Sequence, residues 1–506
     1  MFDLVIRGGL VFDGLGNAPE RKDIAIRDGV IVRVGDVPEK GAREIDATGL
    51  SVSPGFIDSH SHADRGALNG HELFEVVEQG ITTSITGQCG GSIYPVVANG
   101  KEQSAEEFFA HLGEVKSAMN FSLLIGNGTL RNTVMGKAMR APTAEELAAM
   151  QKLLADALDA GAMGLSLGLI YVPGAYAKTD ELKALASVLT ERGGVMAAHI
   201  RNEADDVEQA VDEYLDIAKS AGVTSVISHF KACRAQNHGK VVKTIAQMEA
   251  AVNEGYPIYA DVYPYVATST TVSATFVTRE LLSLPVDEIV AELKKPEVRA
   301  AQKAAMIPLK GADLSFVLIT VCPGCPQYVG KRLSEIAAEK GVDMYEACYD
   351  VLCDSNLAAR ACYFTINEND MRRVLSHPRV MVGTDSGSTK GQEMHHPRCR
   401  GTFPRAVGKY AREEGVVPMA EMIRKMTSLP ATVYGLETKG RIAEGFDADL
   451  CLFDAATIRD TATFTAPRQT PVGIRYVIVN GEIAVEDGKQ TAVRAGRFIS
   501  MKNKRK

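Results

Sequence analysis

Four of the ten histidines in this chain follow short apolar runs that are typical of buried strands. His60 and His62 are two residues apart, so in an extended strand both imidazoles point to the same side and can bind one ion. His199 and His229 each end a further apolar run, and Asp385 ends another. Imidazole and carboxylate groups gathered at strand ends predict a metal centre.

The elements that must position these residues alternate between strand and helix. Residues 205–222 carry apolar side chains at the i, i+3, i+4 and i+7 positions of a surface helix, which stops at Gly222. A short apolar run, 223–229, follows at once. Residues 241–253 repeat the helical pattern and lead into a further apolar run, 257–262. This order predicts repeated strand–helix units.

Polar residues end these strands at a nearly regular interval. Those that fit the spacing are His60, Cys89, His199, His229 and Asp261. Three of the steps between neighbours are 29, 30 and 32 residues, about the length of one βα unit. Strands predicted at 120–126 and 161–168 fill the longest gap, and 380–385 supplies an eighth. We therefore predict an α/β protein with a (β/α)8 TIM-like barrel, whose active site lies at the C-terminal ends of the strands.

Both ends of the chain differ from the middle, because they read as short β-branched strands separated by Asp-Gly turns. We predict one small β-sandwich domain from residues 1–53 and 437–500, with the barrel, 54–436, inserted into it; two unrelated β caps are the alternative. The interval from the seventh to the eighth strand end is 124 residues. We assign the excess, 275–345, to an insertion after strand seven that shapes the substrate pocket.

Composition excludes several classes of function. The 506 residues include 56 Lys and Arg against 63 Asp and Glu, a net charge of −7 that offers no general attraction to nucleic acid or anionic lipid. No basic segment followed by a long apolar stretch starts the chain, and nine scattered cysteines argue against a disulfide framework. We expect a cytoplasmic protein with reduced thiols, including the C-x-x-C pair Cys322 and Cys325, and no nucleic-acid or membrane partner. The oligomeric state stays open.

The chain resembles the amidohydrolase superfamily in two respects. It has a β domain from both termini with a barrel between them, and it carries His-x-His, His, His and Asp on strands one, five, six and eight. Many members also carry a carbamylated lysine on strand four, but residues 161–168 contain no lysine. Cys89 is the predicted replacement, because a thiolate is a strong zinc ligand and glycines flank it. This departure resembles the N-acyl-D-amino-acid deacylase (D-aminoacylase) family, which uses a cysteine there.

The narrower resemblance covers nearly the whole chain. Its motifs stand at residues 168–176, 199–203, 228–231, 261–265 and 396–405. It implies one tightly held zinc on Cys89, His199 and His229, and a second, weaker metal position near His60, His62 and Asp385. It further implies zinc-dependent hydrolysis of N-acyl-D-amino acids to a carboxylate and a free D-amino acid. Asp385 would act as general base and then general acid.

An N-acyl amino acid carries a free carboxylate, and a buried carboxylate needs a cationic partner. Arg398 is the first candidate, because it lies on the loop after strand eight. Lys231, Tyr263 and Tyr265 are further candidates beside the ends of strands six and seven. Tyr171 is a candidate to donate a hydrogen bond to the substrate carbonyl oxygen.

Two other functions remain open at this stage. A dipeptidase or a cyclic-amide hydrolase of the same superfamily would use the same metal and water, and only the pocket distinguishes them. A metal-free barrel that serves binding or assembly would lack ligands, whereas all six ligand positions are occupied here. The preference for D over L substrates rests on the resemblance alone, and the side-chain and acyl preferences stay undetermined.

Overall fold

The computed structural model describes residues 1–69, 73–95, 97–98, 101–387 and 395–502. Strands and helices alternate through the middle of the chain, and strands dominate both ends. The strands are β1 (Phe2–Val11), β2 (Glu20–Arg27), β3 (Val30–Gly35), β4 (Gly41–Asp46), β5 (Ser51–Pro54), β6 (Phe56–Asp58), β7 (Ser61–His62), β8 (Ile81–Thr86), β9 (Val97–Ala98), β10 (Lys101–Glu102), β11 (Asn120–Gly126), β12 (Gly164–Gly168), β13 (Val195–His199), β14 (Ser225–Ile227), β15 (Ile258–Val262), β16 (Thr268–Thr271), β17 (Val317–Val321), β18 (Arg360–Tyr363), β19 (Val380–Val382), β20 (Ser386–Gly387), β21 (Leu450–Phe453), β22 (Ile474–Val479), β23 (Glu482–Glu486) and β24 (Lys489–Gln490).

Helices follow most strands of the middle region. They are α1 (Asp64–Leu68), α2 (Phe74–Val77), α3 (Ala105–Glu114), α4 (Asn127–Met135), α5 (Ala144–Ala160), α6 (Thr179–Arg192), α7 (Val207–Ala221), α8 (Val241–Asn253), α9 (Val272–Phe276), α10 (Arg279–Leu282), α11 (Val286–Leu293), α12 (Pro296–Lys310), α13 (Leu333–Lys340), α14 (Met344–Asp354), α15 (Glu368–Ser376), α16 (Arg398–Arg405), α17 (Met419–Met426) and α18 (Ser428–Val433). Single 3-10 turns lie at Gly174–Tyr176, Ala235–Asn237 and Pro326–Tyr328, and a π-helical segment covers Ala406–Glu413. Within the described part of the chain, no helix combines the length and apolar character needed to cross a membrane.

Eight parallel strands form the barrel, in the order β6, β8, β11, β12, β13, β14, β15 and β19. The last strand returns beside the first, where the backbone N–H of Ser59 donates to the carbonyl oxygen of Val382 at 3.5 Å. Both the amide and the hydroxyl of Thr384 donate to the Asp58 carboxylate, at 2.8 and 2.7 Å. All eight strands predicted from the sequence are present, and the prediction of a (β/α)8 barrel is confirmed.

An apolar layer fills the barrel interior on the N-terminal side of the polar strand ends. It is built from one or two residues of most strands: Ile57, Ile85, Leu124, Met163, Val195, Ala197, Val226 and Met381. Leu429 to Leu436 and Met501 pack against the same layer. Because this end is filled with apolar side chains, polar groups can gather only at the opposite, C-terminal end.

The helices form an outer layer because each has one apolar face. Helix α7 buries Val207, Val211, Tyr214 and Ala218 against the barrel, following the predicted i, i+4, i+7 pattern. It ends at Gly222, whose left-handed backbone (φ 66°) lets the chain turn directly toward β14.

Strands from both ends of the chain share one nine-stranded sheet. Its order is β24, β23, β22, β21, β5, β1, β2 and β3, with β4 paired to β1. Strand β5 pairs with β21 and with β1, so the two ends of the chain meet directly before the first barrel strand. These strands lie within residues 1–54 and 437–500, so β5 extends one residue past the predicted boundary at 53.

A third unit lies between β15 and β19. Strands β16, β18 and β17 form an antiparallel sheet, and helices α9 to α14 pack on it around a separate apolar core. The predicted insertion, 275–345, lies within this unit. Cys322 and Cys325 are buried free thiols here, and burial raises the pKa of Cys322 to about 12.

Candidate metal centre

The six predicted ligand residues converge at the C-terminal end of the barrel. Five of them closely follow or end the barrel strands β6, β8, β13, β14 and β19, and His62 ends the short strand β7 that comes after β6. Two groups have ligand atoms within 4.8 Å of one another: Cys89, His199 and His229, and His60, His62, Cys89 and Asp385. Cys89 belongs to both groups, so its sulfur lies where a ligand shared by two ions would stand. Strand β12 (Gly164–Gly168) offers no lysine for that role.

Cys89 has the surroundings of a thiolate. Its Sγ lies 3.3 Å from Nε2 of His60 and 3.4 Å from Nε2 of His229. Burial alone would raise the pKa of this thiol, but the positive charge on His60 and His229 holds it well below the ordinary value. Since the thiolate is the form that binds metal, this environment fits a zinc ligand.

His199 supplies an independent test of the fit. Both of its ring nitrogens are buried, and neither makes a hydrogen bond to any residue that the structure describes. Nε2 does lie 3.5 Å from Oε2 of Glu203, an ion-pair contact without hydrogen-bond geometry. Buried polar atoms normally form hydrogen bonds, and a buried imidazole that forms none fits metal coordination. One thiolate and two imidazoles would supply three ligands to a zinc ion and leave a position for water, as catalytic zinc sites require.

The second group centres on Asp385. Its Oδ1 lies 3.2 Å from Nε2 of His62 and 3.6 Å from Nε2 of His60, while its Oδ2 lies 2.8 Å from Nη1 of Arg398. Burial favours the neutral acid, but the Arg398 guanidinium and the nearby imidazoles hold the pKa of Asp385 well below its usual range. Asp385 is therefore a carboxylate at neutral pH and can accept a proton or bind a cation.

Three of the ligand residues have left-handed backbone conformations, which residues with a side chain adopt at a cost of about 1 kcal/mol or more. The φ angles are 54° at Cys89, 36° at His229 and 48° at Asp385. Gly168 of β12 packs directly under Cys89, since a Cβ on this glycine would lie 2.0 Å from the Cys89 carbonyl oxygen. Contacts of this kind keep the loop in its strained conformation.

Glu203 is a functional residue that the sequence reasoning missed. Its Oε1 lies 2.9 Å from Nδ1 of His229, and its Oε2 lies 3.5 Å from Nε2 of His199. A carboxylate beside a metal-binding imidazole fixes the orientation of the ring and the nitrogen that carries the proton. The sequence did contain a signal for Glu203, because this residue stands four positions after His199 in the motif at residues 199–203 that carries the family resemblance.

Asp261 supports the same cluster from the end of β15. One of its oxygens accepts from the backbone N–H of His229 at 2.7 Å, and the other lies 3.3 Å from Nδ1 of His60. The side chain is buried. The spacing of polar strand ends singled out Asp261, but nothing in the sequence said that it would contact two ligand residues.

The structure brings Arg398 and Tyr263 together beside Asp385. The guanidinium of Arg398 lies 4.6 Å from the centre of the Tyr263 ring, and both side chains are buried. The hydroxyl of Tyr263 has no hydrogen-bond partner among the described residues. A guanidinium next to a phenol that forms no hydrogen bond among the described residues suits a carboxylate ligand.

The other predicted substrate contacts have partners within the protein. Nζ of Lys231 donates to Oε1 of Glu203 at 2.6 Å and to the carbonyl oxygen of His229 at 2.8 Å. The Tyr265 hydroxyl donates to Asp460 at 3.4 Å, on the side away from the metal ligands. Their roles as substrate contacts stay predictions.

The ring of Tyr171 packs edge-on against the ring of His199. The centres of the two rings are 5.1 Å apart, and the phenol is 3.3 Å from Oγ1 of Thr270. Burial and the nearby Cys89 charge raise the pKa of Tyr171 far above neutrality, so its hydroxyl keeps the proton that a hydrogen-bond donor needs.

The fold and these ligands are those of the amidohydrolases, and the chain belongs to the amidohydrolase family, whose sequence profile matches residues 43–485. It is 36% identical to the N-acyl-D-glutamate deacylase of Alcaligenes xylosoxydans xylosoxydans, over 98% of this chain and 96% of that one. It is 35% identical to the D-aminoacylase of the same organism, over 99% and 98%. The N-acyl-D-glutamate deacylase of Bordetella bronchiseptica, solved with zinc and a phosphonate inhibitor, superimposes with a TM-score of 0.82 at 34% identity, covering 99% of both chains. The predicted resemblance is confirmed.

Proposed function

We propose that this chain is a zinc-dependent hydrolase of N-acyl-D-amino acids, which it cleaves to a carboxylate and a free D-amino acid. The observation that carries the proposal is the joint placement of Cys89, His199 and His229 within 4.8 Å, with His60, His62 and Asp385 beside them. Relatives of known activity that align over nearly the full chain act on this class of substrate, as their names state. The D preference comes from these relatives.

The residues at this site fit zinc. Cys89, His199 and His229 would hold the tightly bound ion, and His60, His62 and Asp385 would form the weaker position. When bound, zinc supplies Lewis-acid chemistry, which polarises the amide carbonyl and lowers the pKa of water at the site towards 7.

Asp385 carries the proton in the reaction. Its carboxylate accepts a proton from the attacking water as oxygen bonds to the carbonyl carbon, and it passes that proton to the departing nitrogen as the C–N bond breaks. The protonated Tyr171 hydroxyl donates to the carbonyl oxygen as negative charge develops there. Water is consumed, and one carboxylate and one amine are released.

Arg398 and Tyr263 bind the free carboxylate of the substrate. The guanidinium already lies 2.8 Å from Asp385, so a carboxylate bound to Arg398 also stands next to the proton carrier. This placement puts the α-carbon and its amide nitrogen within reach of Asp385. Charge-assisted hydrogen bonds from the Arg398 guanidinium and the Tyr263 hydroxyl would replace the hydrogen bonds to water that the carboxylate loses on binding.

The test combines metal content with stereochemistry. Zinc per chain is measured in the purified protein, and amino acid release is followed from paired N-acetyl-D- and N-acetyl-L-amino acids, a dipeptide and a cyclic amide. We expect turnover of the D series, loss of activity on chelation and recovery with zinc. Cys89→Ala should lose both zinc and activity, whereas Cys353→Ser, a cysteine remote from the centre, should keep both.

Each contrary result overturns a defined part of the proposal. Turnover of only the L series refutes the stereochemical claim but not amide hydrolysis. Turnover of only the dipeptide or the cyclic amide refutes the substrate class. A chain that retains full activity without metal refutes the zinc mechanism.

We also propose a cytoplasmic location. All nine cysteines are free thiols, and five of them are buried in the apolar cores or in the end sheet. Reduced thiols in this number suit a reducing compartment.

A further inference from the structure

A cavity of about 780 Å³ opens beside Cys89. Its wall comes from the segments that follow the first four barrel strands, including Leu68, Ile93, Thr129 and Val172. Small-molecule sites usually occupy about 300 to 1,000 Å³, so this volume far exceeds the needs of an acetyl group. Because Cys89, a candidate metal ligand, forms part of the wall, a substrate group that enters the cavity lies close to the candidate metal centre.

Apart from the Cys89 thiolate, the charged side chains that line this wall among the described residues are cations. Arg65 and Lys137 line the cavity, and no Asp or Glu does so among the residues that the structure describes. Asp64, the carboxylate next to Arg65 in sequence, is buried and is not part of the wall. Side chains of one charge in a partly enclosed cavity attract a ligand of the opposite charge.

Both cations are available to a ligand. Nζ of Lys137 donates to the carbonyl oxygens of Leu282 and Leu284 at 3.3 and 3.2 Å, which leaves one ammonium hydrogen free. The Arg65 side chain forms no hydrogen bond within the described residues, although its charge interacts with the neighbouring Asp64 carboxylate, which is buried. The side chains of Asn69, Asn132 and Thr133 add polar groups to the same wall.

The cavity and the predicted carboxylate site occupy different sectors of the barrel end. Arg398 and Tyr263 follow the eighth and seventh barrel strands, whereas the cavity wall follows strands one to four. A substrate whose α-carboxylate contacts Arg398 can therefore direct another substituent, the side chain or the acyl chain, into the cavity.

We propose that the Arg65–Lys137 cavity binds a second anionic group of the substrate, which makes this enzyme selective for N-acyl-D-amino acids with an additional carboxylate. The inference rests on the proposed function and deepens it. Sequence identity does not decide the matter, because the relatives at 36% and 35% identity include both an N-acyl-D-glutamate deacylase and a D-aminoacylase. The additional carboxylate can belong to the amino-acid side chain or to a dicarboxylic acyl group.

The test compares matched charged and neutral substrates on the zinc-loaded full chain. N-acetyl-D-glutamate is set against N-acetyl-D-glutamine, and N-succinyl-D-leucine against N-succinamoyl-D-leucine. We expect kcat/KM to favour the charged member of at least one pair by about tenfold or more, since a charge-assisted bond is lost in the neutral one. The pair that shows the preference identifies which substituent occupies the cavity.

Variants then assign the preference to the two cations. Arg65→Met with Lys137→Met should reduce the charged-to-neutral ratio towards one, and Arg65→Glu with Lys137→Glu should reverse it. Arg475→Met and Lys152→Met remove cations that pair with Asp487 and Asp156 elsewhere on the surface and should leave the ratio unchanged. Zinc content and circular dichroism of each variant report the integrity of the fold.

Failure of this inference is distinguishable from failure of the proposed function. If N-acetyl-D-leucine is hydrolysed but both ratios are near one, or if the ratios survive in the double variant, the cationic cavity does not select substrates. If no N-acyl-D-amino acid, charged or neutral, is hydrolysed by the zinc-loaded chain, the proposed function itself is refuted.

Discussion

Oε1 of Glu203 lies 2.9 Å from Nδ1 of His229 and 2.6 Å from Nζ of Lys231. At the opposite edge of the imidazole ring, Nε2 lies 3.4 Å from Sγ of Cys89. Nζ of Lys231 also lies 2.8 Å from this Nδ1. When Nε2 binds a metal, Nδ1 carries the proton and donates it to the Glu203 carboxylate. Lys231 neutralises the carboxylate, which would otherwise be a buried unpaired charge.

Replacement of Glu203 by glutamine should weaken zinc binding about 10- to 100-fold, the usual effect of losing such a partner. The measurement is a zinc-affinity titration against a competing chelator. Glu213→Gln is the matched control, because Glu213 pairs with Arg201 at 2.7 Å and contacts no ligand residue. Unchanged affinity in Glu203→Gln would contradict the positioning role.

Gly168→Ala should displace the Cys89 loop. The new Cβ would lie 2.0 Å from the Cys89 carbonyl oxygen, a distance that backbone atoms can relieve only by moving. We expect a lower zinc stoichiometry at limiting metal together with reduced thermal stability. Gly113→Ala in α3, where a Cβ meets nothing within 4 Å, should bind zinc normally. Full zinc occupancy in Gly168→Ala would show that the loop tolerates the shift.

Arg398→Met should impair the hydrolysis of substrates that carry a free α-carboxylate more than the hydrolysis of substrates that lack one. For N-acetyl-D-amino acids we expect KM to rise about 100-fold, since the loss of a charge-assisted bidentate contact costs about 3 kcal/mol. The corresponding N-acetyl-D-amino-acid amides, which lack the carboxylate, should show a much smaller change in KM. Equal losses for acids and amides would mean that Arg398 acts only through its ion pair with Asp385.

Lys425 should make the stability of the protein depend on pH. Burial lowers the pKa of this lysine to about 7, with Glu421 opposing and Arg424 reinforcing the shift, and its ammonium donates to the carbonyl oxygen of His377. Between pH 7 and the ordinary lysine value the unfolded chain binds more protons than the folded chain, so stability rises with pH across this window. Below pH 7 both states are protonated and the full penalty for burying the charge applies.

Lys425→Met should remove that penalty. We expect the difference in unfolding midpoint between this variant and the original chain to be largest at pH 7 or below and to shrink as the pH is raised to 9. Thermal unfolding at several pH values measures it. Lys152→Met, at an exposed site, provides the reference and should show a difference that does not vary with pH. A constant difference for Lys425→Met would contradict the lowered pKa.

The barrel and the convergence of the candidate metal ligands could be predicted because their signals are local. Each strand is a short apolar run, α7 and α8 carry one apolar face, and the polar residue at each strand end marks the open end of the barrel. His60 and His62 needed only the two-residue period of a strand. Parallel strands in a closed barrel bring their C-terminal ends to one place, so the positions along the chain sufficed.

What the tertiary structure alone decided are contacts between side chains that are distant in sequence. The contacts of Asp261 with His60 and His229, the packing of Gly168 under Cys89 and the choice of Tyr263 over Tyr265 as the free phenol depend on how the strands close. The wall formed by Arg65 and Lys137 depends in addition on how the loops after four strands fold. Sequence patterns state which end of a strand a residue occupies, but the direction of its side chain and its partner follow from packing through space.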